Sequence, residues 1–378
     1  MHELTIMLGL VLIVVTGLYA MIASVVIRWP RRVVAPLRQQ LPAVSILKAL
    51  CGAEPGLYRQ LRSFCTQRYP QLQIIFGVRE ASDPALEVVR RLRAEFPALD
   101  IDIVIDATLH GSNRKISNLL NMLPRVHHEL LVMADSDISV PEDYLQRIVP
   151  PLLDASVGLV TCPYFGRSRA GAPSLLGAMF INEWFMPAVR VAALFGSQSF
   201  VSGATIAMRR GTLAEIGGLA TLADQLADDY RLGERVRRQG LRVVLAELSV
   251  YTAVEEPSLR SLWGHELRWM RTIQSVQPLG YALSLPTLGL APALIGAALA
   301  GFTSFALGCL AFTAAARLML HCYDRSARTR SWWTGLALLP LRDVLLLLLW
   351  CWSFCSREVS WREHRYGIAQ DGSLRRVS

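Results

Sequence analysis

The chain has 378 residues, 52% of them hydrophobic, and a mean hydropathy of +0.34. This balance excludes an ordinary soluble domain, which needs more polar residues to cover its surface, and it predicts membrane segments. The formal net charge is +9, but the arginines are scattered through predicted helices and membrane flanks. We therefore expect attraction to anionic lipid headgroups and no binding of nucleic acid, which would need a clustered basic surface.

An uncharged apolar segment opens the chain. Residues 5–27 carry no charge and are long enough to cross a hydrocarbon core of roughly 30 Å as a helix. Only MHEL precedes them, without the basic region of a cleavable signal peptide, and Arg28, Arg31 and Arg32 follow. The segment is therefore predicted to be an uncleaved transmembrane anchor whose C-terminal end faces the cytoplasm.

Residues 36–258 alternate short apolar runs with amphipathic stretches, which indicates strands and helices in turn. The predicted buried strands are AVSILKAL, LQIIFGVRE, IDIVID and ELLVMADSD, and PALEVVRRLRAEF and NRKISNLLNML are predicted helices. This order predicts an α/β domain with a Rossmann-like, mostly parallel sheet, in which ligands bind outside the carboxyl ends of the strands.

Two carboxylates follow the fourth predicted strand, in LLVMADSDISV. Asp135 and Asp137 would repel each other there. Their placement becomes favourable if a divalent cation, which brings a substrate phosphate with it, lies between them. The alternative is a turn in which Asp137 or Ser139 caps the helix PEDYLQRIV. The D-x-D pattern alone leaves both readings open.

Further acids lie at comparable positions. Glu80 ends the second strand, where an acid can accept hydrogen bonds from a base or ribose. Asp228 and Asp229 open a predicted helix, and Asp229 could act as a general base towards a substrate hydroxyl. The alternatives are a solvated acid at Glu80 and a favourable interaction of the acid pair with the helix dipole.

The chain uses lysine only twice. Of its 39 basic residues all but Lys48 and Lys115 are arginine, and both lysines lie in predicted loop contexts. A compact ammonium group suits a phosphate or nucleotide contact where a guanidinium group does not fit. The alternative is that these two lysines were retained by chance and have no special role.

Residues 259–278 are predicted to form a helix at the membrane interface, because tryptophans and leucines alternate there with basic residues. The stretch HELRW, 265–269, has Trp269 where a zinc metalloprotease helix needs a second histidine, which excludes that class. Arg268 could bind a diphosphate and Trp269 could pack on a sugar or acceptor ring. An aromatic belt with arginines reaching to the interface is the alternative.

The C-terminal region 279–356 is predicted to be a transmembrane or re-entrant unit. Its first part, to Met319, suggests two spans with a tight turn. In its second part Arg342 and Asp343 interrupt the apolar run, so we expect a re-entrant or interfacial hairpin there. Residues 357–378 are predicted to be a cytoplasmic tail.

In this order along the chain, these features describe a nucleotide-sugar site beside a membrane. At this point the sequence resembles the membrane-bound GT-A glycosyltransferases of the ceramide glucosyltransferase family, and most closely their bacterial branch associated with hopanoid biosynthesis. The resemblance runs from about Pro42 to the C-terminus. The motifs that carry it are VSILKALCGAEPGLYRQLRSFCTQRYP, FGVREASDPA, HGSNRKISNLLNMLP, MADSDISVPEDYL, GLVTCPYFG, LADDYRLGERVRRQGLRVVL, EPSLRSLWGHELRW and VSWREHRYG.

The resemblance implies a role for each matching residue. Glu80 stands where the family's first acid contacts the uracil or ribose, although the family more often has aspartate there. Asp135 and Asp137 match a pair that binds Mg²⁺ or Mn²⁺, and Asp229 matches the general base of an inverting transfer.

The last motif departs from the family pattern. His265, Arg268 and Trp269 match a (Gln/Arg)-x-x-Arg-Trp motif with histidine in its first position, which leaves the contact of His265 with a pyrophosphate or acceptor open.

The resemblance implies a multi-pass protein of the inner membrane whose catalytic domain faces the cytoplasm. It would transfer one hexose, GlcNAc or Glc, from a UDP-sugar to a hydroxyl of a membrane lipid, with a hopanoid polyol as the first expectation. A ceramide glucosyltransferase is the alternative. A processive polysaccharide synthase would usually need more spans, and a non-catalytic nucleotide-binding membrane protein would not need metal-binding acids and a base together.

Overall fold

The computed structural model describes residues 2–28, 41–197, 200–323, 331–361, 364–369 and 371–377. Arg31 and Arg32, on which the predicted orientation of the first span depends, lie outside these ranges. The helices are α1 His2–Val26, α2 Leu57–Cys65, α3 Ala85–Glu95, α4 Arg114–Met122, α5 Tyr144–Ile148, α6 Gly171–Phe180, α7 Met186–Leu194, α8 Arg210–Glu215, α9 Asp228–Arg238, α10 Leu259–Val276, α11 Pro278–Ala282, α12 Leu290–Leu299, α13 Ser304–Tyr323 and α14 Ser331–Ser353. The strands are β1 Val44–Ala49, β2 Leu72–Val78, β3 Asp100–Ile105, β4 Leu130–Ala134, β5 Ile138–Ser139, β6 Val157–Thr161, β7 Tyr164–Ser168, β8 Thr205–Arg209, β9 Arg242–Leu245, β10 Val250–Val254, β11 Glu358–Trp361, β12 His364–Ile368 and β13 Leu374–Val377.

A seven-stranded sheet forms the centre of the domain, in the order β3-β2-β1-β4-β8-β6-β9. Its strands are parallel except β8, which pairs antiparallel with both β4 and β6. The predicted α/β domain with a mostly parallel sheet is thereby confirmed. A parallel sheet must be covered on both faces, and the near-continuous apolar composition of β2 and β4 meets that requirement.

Helices cover the two faces of this sheet because alternate residues of each strand point to opposite sides. In β1, Ile46 joins a core that includes Phe64 of α2. Its neighbour Leu47 joins a second core with Ile116 of α4. The loops that follow β1, β2 and β4 thus leave the carboxyl edge of a sheet that is packed from both sides.

Among the described residues, three helices are long and apolar enough to cross a membrane: α1, α13 and most of α14. The prediction of two spans between residues 279 and 319 is wrong. That tract forms the short helices α11 and α12 and only then the 20-residue helix α13, because prolines and glycines end the first helices early.

The predicted hairpin around Arg342 and Asp343 is also wrong, since α14 runs through both residues without a break. Its two charged side chains are buried and ion-paired. Arg342 pairs with Glu266 and Asp343 pairs with Arg317 of α13. Asp343 also accepts from the backbone of Leu290 at 2.8 Å, so its charge is compensated without a turn.

The predicted tail folds into a three-stranded antiparallel sheet, β11 to β13. This C-terminal sheet contacts the segment before α9. The amide of Leu226 donates to the carbonyl of Gly372, and the amide of Leu374 donates to the carbonyl of Asp224. Leu226 is buried against Tyr366 of β12.

Candidate active site

The D-x-D pair lies directly after β4, at the carboxyl edge of the sheet. The amide of Asp135 donates to the carbonyl of Ala204 at 3.1 Å, which holds the turn against the start of β8. The Asp137 carboxylate accepts from Thr252 Oγ1 of β10 at 2.5 Å. The alternative of a helix cap does not hold, because α5 begins at Tyr144 with Asp143 before it and no side-chain cap.

The electrostatics of the pair are those of a cation site. Burial and the neighbouring Asp135 charge raise the pKa of Asp137, although Thr252 and Lys48 partly offset them. A divalent ion would relieve both effects, and carboxylate oxygens are the ligands that Mg²⁺ and Mn²⁺ prefer. In the described part of the chain no cluster of three or more His, Cys, Asp or Glu side chains forms a metal cage. Asp135 and Asp137 therefore fit an ion whose other ligands come from a substrate or water.

Lys115 joins this pair to the second acid pair. Its Nζ lies 2.6 Å from Asp135 Oδ1, 3.8 Å from Asp228 Oδ2 and 3.5 Å from the carbonyl of Gly203. Burial opposes its charge, but Asp135 and Asp228 prevail and raise the pKa of Lys115 above its usual range. The ammonium group is thus charged at neutral pH.

The N-terminus of α4 places Lys115 at this position. Asn113 caps the helix by accepting from the amide of Ile116 at 3.1 Å, and its Nδ2 reaches the carbonyl of Gln225 at 3.0 Å and Asp228 Oδ1 at 3.3 Å. One asparagine therefore sets the start of α4 and connects it to the start of α9.

Asp229 lies at the N-terminus of α9, as predicted. Its Oδ2 accepts from the amide of Gly203 at 2.8 Å and its Oδ1 from the amide of Tyr230 at 2.7 Å. Burial and the charge of Asp228 raise the pKa of Asp229 to about 6. A carboxylate with this pKa is ionised at neutral pH and is a stronger base than an exposed aspartate.

Lys48 lies deeper than predicted. It lies in β1, the strand at whose end it is predicted, but its side chain is fully buried. Its Nζ donates to the carbonyl of Asp135 at 2.5 Å and lies 3.8 Å from the centre of the Phe64 ring. Burial lowers the pKa of Lys48 to about 7, against the opposing charges of Asp137 and Asp135. Lys48 therefore holds the backbone of the D-x-D turn through a hydrogen bond from the interior of the domain.

Helix α10 brings the last motif to the acids. Burial lowers the pKa of Arg268 to about 10, while the charges of Asp135, Glu256 and Asp228 oppose that shift. The guanidinium group is charged at neutral pH and lies within electrostatic range of both acid pairs.

An aromatic cluster surrounds Trp269. Its ring packs against four others with centroid distances of 5.4 to 6.2 Å, namely Tyr164, Phe180, Phe185 and His265. Three of these pairs are edge-to-face and the pair with Phe185 is tilted, as aromatic pairs prefer. Trp269 is therefore held rigidly.

His265 pairs with Glu256, an acid that no motif in the sequence indicates. Its Nδ1 lies 2.7 Å from Glu256 Oε1, and the other carboxylate oxygen accepts from Ser261 Oγ at 2.6 Å. Burial opposes the charge of Glu256, but the hydrogen bonds from His265 and Ser261 prevail and lower its pKa. The side chain of His265 is still 45% exposed, which leaves its ring accessible for a further contact.

Glu80 lies in the turn after β2, at the same edge of the sheet, with an exposed side chain. Glu80 thus lies at the predicted edge of the sheet, but it does not belong to the ionic cluster of Lys115, Asp135 and Asp228. Its neighbour Asp83 has a structural role, since its carboxylate accepts from the amides of Gly52 and Ala85 and ties the loop after β1 to the loop after β2.

Several site residues had no recognisable pattern in the sequence. Gly203 packs so closely that a Cβ there would lie 3.1 Å from Asp229 Oδ2. Thr252, Asn113 and Glu256 act through contacts that join segments far apart in the chain. An N-cap asparagine before a helix was the one available indication, at Asn113.

The chain is similar to known glycosyltransferases. A family model described as glycosyl transferase family 21 matches residues 9–374. Ceramide glucosyltransferase 3 of Caenorhabditis elegans is 24% identical over 234 residues, 61% of this chain and 50% of the relative. Ceramide glucosyltransferase 1 of the same organism is 23% identical over 239 residues, 63% and 51%. The chain thus spans about half the length of these curated relatives.

A solved structure shows the same fold. A mannosyltransferase from Pyrobaculum calidifontis, in complex with GDP-Man and Mn²⁺, superposes with a TM-score of 0.55 at 20% identity, over 93% of this chain and 99% of the other. The GT-A fold predicted from the sequence is thereby confirmed. With nearly its whole length matched by the family model, the chain belongs to glycosyl transferase family 21.

Proposed function

We propose that the protein transfers one hexose, GlcNAc or Glc, from a UDP-sugar to a hydroxyl group of a membrane lipid, with inversion at the anomeric carbon. The observation that carries this proposal is the junction at Lys115, where the D-x-D pair and the acids that open α9 meet at the carboxyl edge of the sheet. Helices able to cross a membrane flank this domain in the sequence. The relatives named ceramide glucosyltransferases support a lipid acceptor.

Asp135 and Asp137 would hold the Mg²⁺ or Mn²⁺ ion, consistent with the Mn²⁺ in the complex of the mannosyltransferase from Pyrobaculum calidifontis. When bound, the ion supplies Lewis-acid stabilisation of the departing diphosphate. Lys115 keeps the two acid pairs at a fixed separation and reduces their repulsion. Lys48 holds the backbone of Asp135 from within the sheet.

Asp229 is proposed as the general base. Its carboxylate would accept the proton of the acceptor hydroxyl as that oxygen attacks the anomeric carbon from the face opposite the diphosphate. The two backbone amides that bind Asp229 fix its orientation, and its raised pKa gives it the basicity for the step.

Arg268 would bind the diphosphate and Trp269 would form an aromatic wall for the sugar or the acceptor. The positive charge of Arg268 already lies within range of the acids. Glu80 would contact the uracil or ribose from the loop after β2. His265, held by Glu256, replaces the glutamine or arginine of the motif and has an exposed ring for contact with donor or acceptor.

The proposed organisation has residues 5–27 as the anchor, 36–258 as the cytoplasmic catalytic domain, 259–278 as the interfacial helix and 279–356 as the C-terminal membrane region, followed by the cytoplasmic C-terminal part 357–378. The inner membrane is the proposed location. A hopanoid polyol is the first candidate acceptor, and a ceramide remains the alternative that the curated relatives support by name.

The test uses the purified full chain in detergent with UDP-GlcNAc or UDP-Glc, Mn²⁺ or Mg²⁺, and a hopanoid polyol or a ceramide as acceptor. We expect a product heavier than the acceptor by a single hexose residue, and no product from the Asp137→Ala protein. The anomeric configuration by NMR reports inversion. Products of many sugar units would favour a processive synthase, and UDP release without glycolipid with every acceptor would contradict the proposal.

A further inference from the structure

The fully buried Arg342, in the middle of α14, joins three helices. Its two terminal nitrogens each lie 2.8 Å from one carboxylate oxygen of Glu266 in α10, which is a bidentate ion pair. One of these nitrogens also donates to the carbonyl of Leu176 in α6 at 3.1 Å. A membrane-type helix is thus fixed to the helix that carries the HELRW motif.

The same guanidinium group also supports the aromatic cluster. It lies 5.6 Å from the centre of the Phe180 ring, and the Phe180 ring lies 5.8 Å from that of Trp269. Glu266 precedes Trp269 by three positions in α10, which is nearly one helical turn. Arg342 therefore contacts α10 directly at Glu266 and reaches the next turn through Phe180.

Stability alone does not account for this arrangement. Burying two charges carries a large desolvation cost, and apolar replacements of buried ion pairs are often neutral or stabilising. The Nε of Arg342 is also buried without a hydrogen-bond partner within the described residues. What an ion pair supplies, and apolar side chains do not, is a fixed direction of contact.

We propose that Arg342 and Glu266 are positioning residues that set the rotation and depth of α10, so that Arg268 and Trp269 face the acids of the active site. The membrane region thereby contributes to the geometry of the transfer. This inference rests on the proposed function, because its readout is the transfer reaction.

The experiment compares stability and turnover in four variants of the full chain in detergent. Glu266→Leu and Arg342→Met alone each leave a buried unpaired charge and should lower the melting temperature strongly. The double variant E266L/R342M removes both charges, so we expect its melting temperature to return to near the wild-type value while kcat falls at least tenfold. Leu341→Met, at a 43% exposed neighbour in α14, is the control and should keep both values.

A conservative variant separates positioning from folding. Glu266→Gln keeps a hydrogen-bond acceptor for Arg342 but leaves its charge buried and unpaired, so it should be less stable than E266L/R342M and yet more active. This opposite order of stability and activity is expected only from a positioning role. A double variant with wild-type kcat, or activity that simply follows the melting temperature, would overturn the inference. If the wild-type chain itself transfers no sugar, the proposed function fails instead.

Discussion

Replacing Asp229 by asparagine should remove most activity and at the same time stabilise the protein at pH 8. The pKa of this carboxyl rises from 3.8 to about 6 in the folded state, which at about 1.4 kcal/mol per pKa unit corresponds to a cost of about 3 kcal/mol when the group is ionised. Asparagine carries no charge and avoids this cost. Its side chain can accept from only one of the two amides that bind Asp229, and the lost hydrogen bond costs about 1–2 kcal/mol. The net gain in the free energy of unfolding is therefore about 1–2 kcal/mol.

The sign of the pH dependence follows from the direction of the shift. Between pH 3.8 and about 6 the unfolded chain is ionised at this position while the folded protein keeps its proton, so folding stability falls as the pH rises through that window. The advantage of the Asp229→Asn protein should therefore be smaller at pH 5 than at pH 8. In the wild type, kcat/KM should fall below pH 6 as the base becomes protonated.

The assay measures melting temperature in detergent at pH 5 and pH 8 together with glycolipid formation. Loss of a general base should lower kcat by roughly 10²- to 10⁴-fold. Asp154→Asn is the control, since Asp154 is an exposed acid paired with Arg242 at 2.7 Å, and it should leave turnover near the wild-type value. Turnover of the Asp229→Asn protein within threefold of wild type, or a lower melting point at pH 8, would refute the reasoning.

Three other predictions concern Gly203, Lys48 and the proposed metal site. Gly203→Ala would place a Cβ 3.1 Å from Asp229 Oδ2 and 3.5 Å from Lys115 Nζ, and we expect at least tenfold lower kcat with a wild-type melting temperature; unchanged kcat would show that the base tolerates displacement. Lys48→Met removes the hydrogen bond to the Asp135 carbonyl and should raise the Mn²⁺ concentration for half-maximal turnover at least tenfold, measured by metal titration against Leu341→Met. Chelation by EDTA should abolish wild-type turnover and excess Mn²⁺ or Mg²⁺ should restore it, whereas Asp137→Ala should not recover at any metal concentration; activity that survives EDTA would exclude the metal role.

The sequence was sufficient for features that depend on local pattern. The apolar runs of β2 and β4 predict buried strands, and the acids that follow β4 must then lie at the carboxyl edge of a parallel sheet. Asp228 and Asp229 were correctly placed at the start of a helix. The metal and base roles assigned to these acids remain predictions.

The sequence failed where a partner is distant along the chain. Arg342 and Asp343 indicated a break in a membrane helix, because nothing in the neighbouring residues reveals that Glu266 and Arg317 compensate their charges. Lys48 is predicted at the end of the first strand in a loop-forming context, because its neighbours in the sequence do not reveal that its ammonium group is buried and donates to the carbonyl of Asp135, far along the chain. Ion pairs between different helices form only in the assembled fold. A hydropathy profile scores each charged residue by itself, so it cannot show that a charge in a membrane helix is compensated by a distant partner.

The contact between the C-terminal sheet and the segment before α9 has a consequence for biosynthesis. The backbone of Leu226 acquires its partner at Gly372 only after the ribosome has released a stretch of chain translated long after α9 itself. During translation, the loop that presents Asp228 and Asp229 lacks this support. In a nascent chain, the hydrogen bonds between this segment and the C-terminal sheet can form only after the last strands have been translated and have docked.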